Sequence, residues 1–64
     1  MDYAERIVVA VERTPLRSAR AVFQEIGGNK QAVFENVKLM LDDGRLVADS
    51  EGVYRVGNRA RTPR

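Results

Sequence analysis

Side chains able to do chemistry are few in kind in this 64-residue chain, which contains no cysteine and no histidine. Every mechanism built on a thiolate or an imidazole is thereby excluded, as are disulfide staples and the common zinc sites. Asp42 and Asp43 are adjacent carboxylates, but neighbours on a helix point about 100° apart, so the two cannot share one substrate or metal ion. The run EIGGNK, at positions 25–30, lacks the GxxxxGK[ST] spacing of a phosphate loop. No nucleophile stands with a base, and the sequence therefore predicts a protein that is not an enzyme and takes no cofactor and no metal. Recognition chemistry remains. Nine of the 11 cationic residues are arginine, whose planar guanidinium suits bidentate contacts to phosphate or carboxylate.

Composition bounds the body that must position these groups. Hydrophobic residues make up 44% and charged residues 31% of the chain, the balance of a domain that folds rather than of a disordered segment. A chain this short forms one small domain and removes only roughly 60% of its unfolded surface from water, so stability must come from compact packing. The longest apolar run, IVVAV at 7–11, is far short of the roughly 20 residues that span a bilayer. A signal-peptide cleavage pattern is also missing, and a cytoplasmic protein with no membrane contact and no small-molecule substrate is expected. Arg59, Arg61 and Arg64 share the last six residues with Thr62 and Pro63. This composition predicts a domain over 1–57 followed by a flexible basic tail over 58–64.

Apolar periodicity places the elements. Ala4, Ile7, Val8 and Val11 recur at i, i+3, i+4, i+7 and predict an amphipathic first helix over 2–13. Pro15 disfavours helical geometry at Thr14 and ends it, leaving Leu16 and Arg17 to run extended. Ser18 is the expected N-cap of a second helix over about 18–26, with Val22 and Ile26 inward, helped by Ala19 and Phe23. Gly27 and Gly28 can take the left-handed backbone that terminates a helix, and Asn29 can cap the next one. A third helix over about 30–43 would bury Val33, Val37, Met40 and Leu41 and stop at Gly44. The period then falls to 2. RLVA and VYRV, separated by Asp49, Ser50, Glu51 and Gly52, predict a two-stranded hairpin over 45–56 that lays Leu46, Tyr54 and Val56 on the helices. The fold class is α+β, mainly α: a three-helix bundle with a C-terminal two-stranded β-wing.

The stretch LRSARAVFQEIGGNKQAVFENVKLMLDDGRLVADSEGVYRV, positions 16–56, resembles winged helix-turn-helix DNA-binding domains. With GGNKQAV leading into LDDGRLV and GVYRV it is similar to the small modules attached to phage and plasmid replication ATPases and to some bacterial regulators. The resemblance implies double-stranded DNA binding in a replication or transcription-regulatory role. It puts the third helix in the major groove, its N-terminal residues near base edges, while the wing and the preceding helix hold the phosphates. Further partners would be a second copy of the chain or a larger replication or regulatory protein.

On that geometry the side of the third helix opposite its core face carries Gln31, Glu35 and Lys38, with Lys30 at the N-terminus; these four are the base-edge candidates. Glutamine can pair bidentately with adenine, lysine can meet guanine or phosphate, and Glu35 can accept from cytosine N4. Phosphate candidates are Arg17, Ser18 and Arg20 at the start of the second helix, where the dipole favours an anion. Asn29, Arg45 and Arg55 join them, with Arg59 and Arg61 as a basic arm. Asp49 and Glu51 at the wing tip weigh against a deep wing contact.

Plainer roles compete with these. Lys30, Gln31 and Lys38 can be a solvated face beside Glu35 and Asp42, and Arg17 and Arg20 can pair with Glu25 or Glu12 for about 0 to 1 kcal/mol. In the alternative function the chain is a protein-interaction or dimerisation module that does not bind DNA and docks through the apolar stripe of the first helix or through Phe34.

Overall fold

The computed structural model describes residues 2–57. The basic tail expected over 58–64, with Arg59 and Arg61, lies outside the described residues. Three helices precede one antiparallel hairpin: α1 (Tyr3–Arg13), α2 (Ala19–Ile26), α3 (Lys30–Asp43), β1 (Leu46–Ala48) and β2 (Tyr54–Val56). The chain is mainly α with a small β wing, a shape compatible with a winged helix.

Each helix starts where a short polar side chain satisfies one of the free amides of its first turn. Asp2 Oδ1 accepts from the Glu5 N–H at 3.0 Å, Ser18 Oγ from the Ala21 N–H at 3.0 Å and Asn29 Oδ1 from the Ala32 N–H at 2.9 Å. α1 ends at Thr14, extended at φ −141° and ψ 133°, the conformation that a following proline imposes. α2 ends at Gly27, whose N–H donates to the Phe23 carbonyl at 2.7 Å. Its φ of 70° with ψ −159° belongs to a region essentially reserved for glycine. α3 stops at left-handed Gly44, as expected.

Ile7, Val22, Val33, Val37, Met40 and Leu46 are the fully buried side chains, so every helix and the wing contribute to one core. Two margins differ from expectation. On α1 the buried stripe is centred on Ile7 with Ala10 and Val11 beside it, while Ala4 and Val8 are only half-buried. On α3 the stripe is the narrow row Val33, Val37 and Met40, and Leu41, about 80° around the wheel from Val33, is 36% exposed.

The hairpin pairs Leu46 with Val56, Val47 with Arg55 and Ala48 with Tyr54. Both strands are one residue shorter than expected. Val53 drops out of pairing because the turn claims its backbone: its N–H donates to Asp49 Oδ1 at 3.0 Å and its carbonyl accepts from the Asp49 N–H at 2.9 Å. Arg45 also precedes the strand, yet its carbonyl accepts from the Gly57 N–H at 2.8 Å. A Cβ added at Gly57 would collide with the Gly44 carbonyl oxygen, so the wing closes against the end of α3 only because that side chain is absent. On its other side the wing is tied to the body by the Tyr54 N–H, which donates to the carbonyl of buried Leu16 at 2.8 Å.

Candidate nucleic-acid interface

Burial of Val33, Val37 and Met40 turns the opposite side of α3 to solvent, and Lys30, Gln31, Glu35 and Lys38 are all exposed. Gln31, Glu35 and Lys38 stand at i, i+4 and i+7, in one row along the helix, and exposed Asp42 continues it. The row therefore alternates an amide, a carboxylate, an ammonium and a carboxylate. Cationic character is confined to Lys30 and Lys38, while Asp42 and Asp43 sit at the end where the helix dipole is already negative. Lys30 Nζ lies 5.7 Å from the centroid of the Phe34 ring, a cation–π contact one helical turn long. Phe34 itself is half-buried.

At the start of α2, Arg17, Ser18 and Arg20 are exposed. Ser18 Oγ is engaged as an acceptor by the Ala21 N–H, which leaves its own proton to donate. Among the described residues no carboxylate forms an ion pair with Arg17 or Arg20, so the surface pairs with Glu25 or Glu12 do not form. Asn29 is largely committed to the fold: its Oδ1 caps α3 and its N–H donates to the Tyr3 hydroxyl at 2.7 Å.

The wing arginines differ in kind from Arg17 and Arg20. Arg45 Nε lies 2.9 Å from Asp43 Oδ2, and the Arg45 N–H donates to Asp43 Oδ1 at 3.0 Å. Arg55 Nε lies 3.1 Å from Asp49 Oδ2. Asp49 organises the whole turn, because its Oδ1 also accepts from the Glu51 N–H at 2.8 Å and the Val53 N–H at 3.0 Å. The backbone N–H groups of Val53 and Glu51, and then Arg55, hold its carboxyl below the ordinary value of 3.8. Both wing cations thus face a carboxylate of their own chain.

One residue of this region went unread in the sequence. Tyr3, at the start of α1, reaches the turn between α2 and α3, and nothing in the local pattern around it signals a partner 26 positions away.

Among the described residues no group of acidic side chains could hold a metal ion, and no helix is long and apolar enough to cross a membrane. No protein-family model, no curated protein and no solved structure matches the chain.

Proposed function

We propose that this chain is a double-stranded DNA-binding module of the winged helix-turn-helix kind, cytoplasmic, serving replication or transcription regulation as phage- and plasmid-type modules do. One observation carries the proposal: the α3 side that bears Gln31, Glu35 and Lys38 is free of the core, with exposed Lys30 at its N-terminus, while Arg17, just before α2, and Arg20, within it, form no ion pair with a carboxylate among the described residues.

α3 enters the major groove by its N-terminal half. Gln31 pairs with adenine, Lys30 or Lys38 meets guanine or phosphate, and Glu35 accepts from cytosine N4, each bidentate pair supplying about 1 to 3 kcal/mol of discrimination. Arg17, Ser18 and Arg20 grip phosphates and set the register. Exposed Asp42 keeps the C-terminal end of α3 away from the backbone of the duplex. Arg45 and Arg55 each commit Nε to a carboxylate, Asp43 or Asp49, which offsets their charge toward a phosphate, so the wing plays the smaller part.

A titration of amide-labelled protein with a random duplex tests this directly. Perturbed resonances should cluster at 17–20 and 30–38; a response confined to another surface defeats the proposal.

The exposure of Leu39, at 59%, and Val47, at 45%, favours a second use, as an interaction module that binds protein or another copy. The α1 stripe is not available for it, since Ile7, Ala10 and Val11 are buried. Self-association without duplex binding at low salt would establish that use instead.

A further inference from the structure

A side chain of α1 reaches the turn between α2 and α3 from outside the helix pair. Tyr3 Oη accepts from the Asn29 N–H at 2.7 Å. Its ring is seated between two neighbours. Arg6 Cζ lies 5.6 Å from the ring centroid, and a Cβ built on Gly28 would stand 2.5 Å from Oη and 2.9 Å from ring carbon Cε1. Gly28 is therefore required twice over, for its φ of 87°, which side chains avoid, and for the space that Tyr3 fills. The bond ends on Asn29, the residue whose own side chain caps α3 at the Ala32 N–H. Whatever fixes Asn29 fixes the first turn of α3, and so the directions of Lys30 and Gln31.

Base readout and phosphate contact differ in how much displacement they tolerate. A bidentate pair on a base edge needs its donor and acceptor held to within about 0.5 Å, whereas long cationic side chains meet phosphates over a wide range of geometries. We propose that Tyr3 is a positioning residue of the duplex interface: its hydroxyl, by anchoring Asn29, fixes the orientation of α3 on which sequence preference depends. The inference rests on the duplex-binding function proposed above.

The test uses the full chain, its Tyr3→Phe variant, which keeps the ring and loses the hydroxyl, and a duplex site enriched from a random library by the unmodified chain. Dissociation constants are measured for the enriched site and for random duplex across a salt series. The preference for the enriched site over random duplex should fall about tenfold in Tyr3→Phe, most of what one bidentate pair supplies. Random-duplex affinity, salt slope and circular dichroism spectrum should stay as they were, which a merely destabilised protein would not manage. Gly28→Ala, which keeps the hydroxyl and displaces the ring, should lose preference in the same way.

An unchanged preference in Tyr3→Phe overturns the inference alone. A salt slope shallower by about 0.9 in the variant also overturns it, because Tyr3 would then be a phosphate contact. If the unmodified chain enriches no site and binds no duplex, the duplex-binding function fails and this inference with it.

Discussion

Replacing Arg17 and Arg20 together by alanine exploits the sharpest distinction among the cations of this protein. Neither has an ion-pair partner among the described residues, whereas Arg45 and Arg55 lie 2.9 and 3.1 Å from the carboxylates of Asp43 and Asp49. If Arg17, Arg20, Lys30 and Lys38 each neutralise one phosphate, the logarithm of the duplex-binding constant should fall against log salt with a slope of about −3.6, at about −0.9 per phosphate. Affinity then drops about 150-fold between roughly 50 and 200 mM salt. The Arg17→Ala, Arg20→Ala variant keeps two of these contacts, so its slope should be about −1.8 and its loss over the same range about 12-fold. Arg45→Ala with Arg55→Ala should leave the slope near its original value, because those charges are already answered within the protein. Fluorescence anisotropy of a short labelled duplex across the salt series measures all three slopes. A wing variant that flattens the slope as much as the α2 variant, or an α2 variant that leaves it unchanged, refutes the assignment of phosphate contacts.

Other expectations concern the frame that carries the interface. Met40→Ala should cost about 2 to 5 kcal/mol by leaving a cavity in the core, a large part of the roughly 3 to 10 kcal/mol that a chain of this size holds in total, and urea denaturation would register it. Gly27→Ala meets no atom within 4 Å, so its cost is backbone strain alone, about 1 to 3 kcal/mol, measurable as a lowered melting temperature with an unchanged spectrum. Gly57→Ala must push the wing off the Gly44 carbonyl. It should destabilise by about 1 to 3 kcal/mol and selectively speed amide exchange at Tyr54 and Gly57. Asp49 has a folded pKa below the 3.8 of its free side chain, so its contribution is complete well above that pH and is lost as pH falls through the folded value. Asp49→Asn should therefore flatten the acid limb of the stability curve below pH 3.8; an acid limb identical to the parent's would show that the turn does not depend on that carboxylate.

Features decided within a few residues were legible before the structure. Ser18 and Asn29 are caps because their own short side chains reach amides three positions on, and Gly27 and Gly44 stop helices by their own φ. The turn composition likewise announced the hairpin. Helix margins were harder, because the wheel cannot tell how wide a face the neighbouring helices will cover; Leu41 and Val8 fall at those margins. Arg45 and Arg55 gave no hint of being held, since opposite charges two or six positions apart are common and only the wing geometry brings Asp43 and Asp49 onto them. Tyr3 on Asn29 and Leu16 on Tyr54 were invisible for the same reason at longer range. Of the candidate interface, the exposed side of α3 could be read from periodicity, while the difference between Arg17 and Arg20 and the wing arginines could not.

The hydrogen bond from the Tyr54 N–H to the Leu16 carbonyl also governs how copies of this protein can meet. It occupies β2 on the side away from β1, where an unprotected strand would offer a ladder of donors and acceptors to a passing chain. Sheet extension from one molecule to the next through Tyr54 would have to begin by breaking its bond to Leu16, and among the described residues the outer rim of β1 is only three residues long. Fibrous stacking through the hairpin is therefore discouraged by the same contact that keeps the hairpin in place.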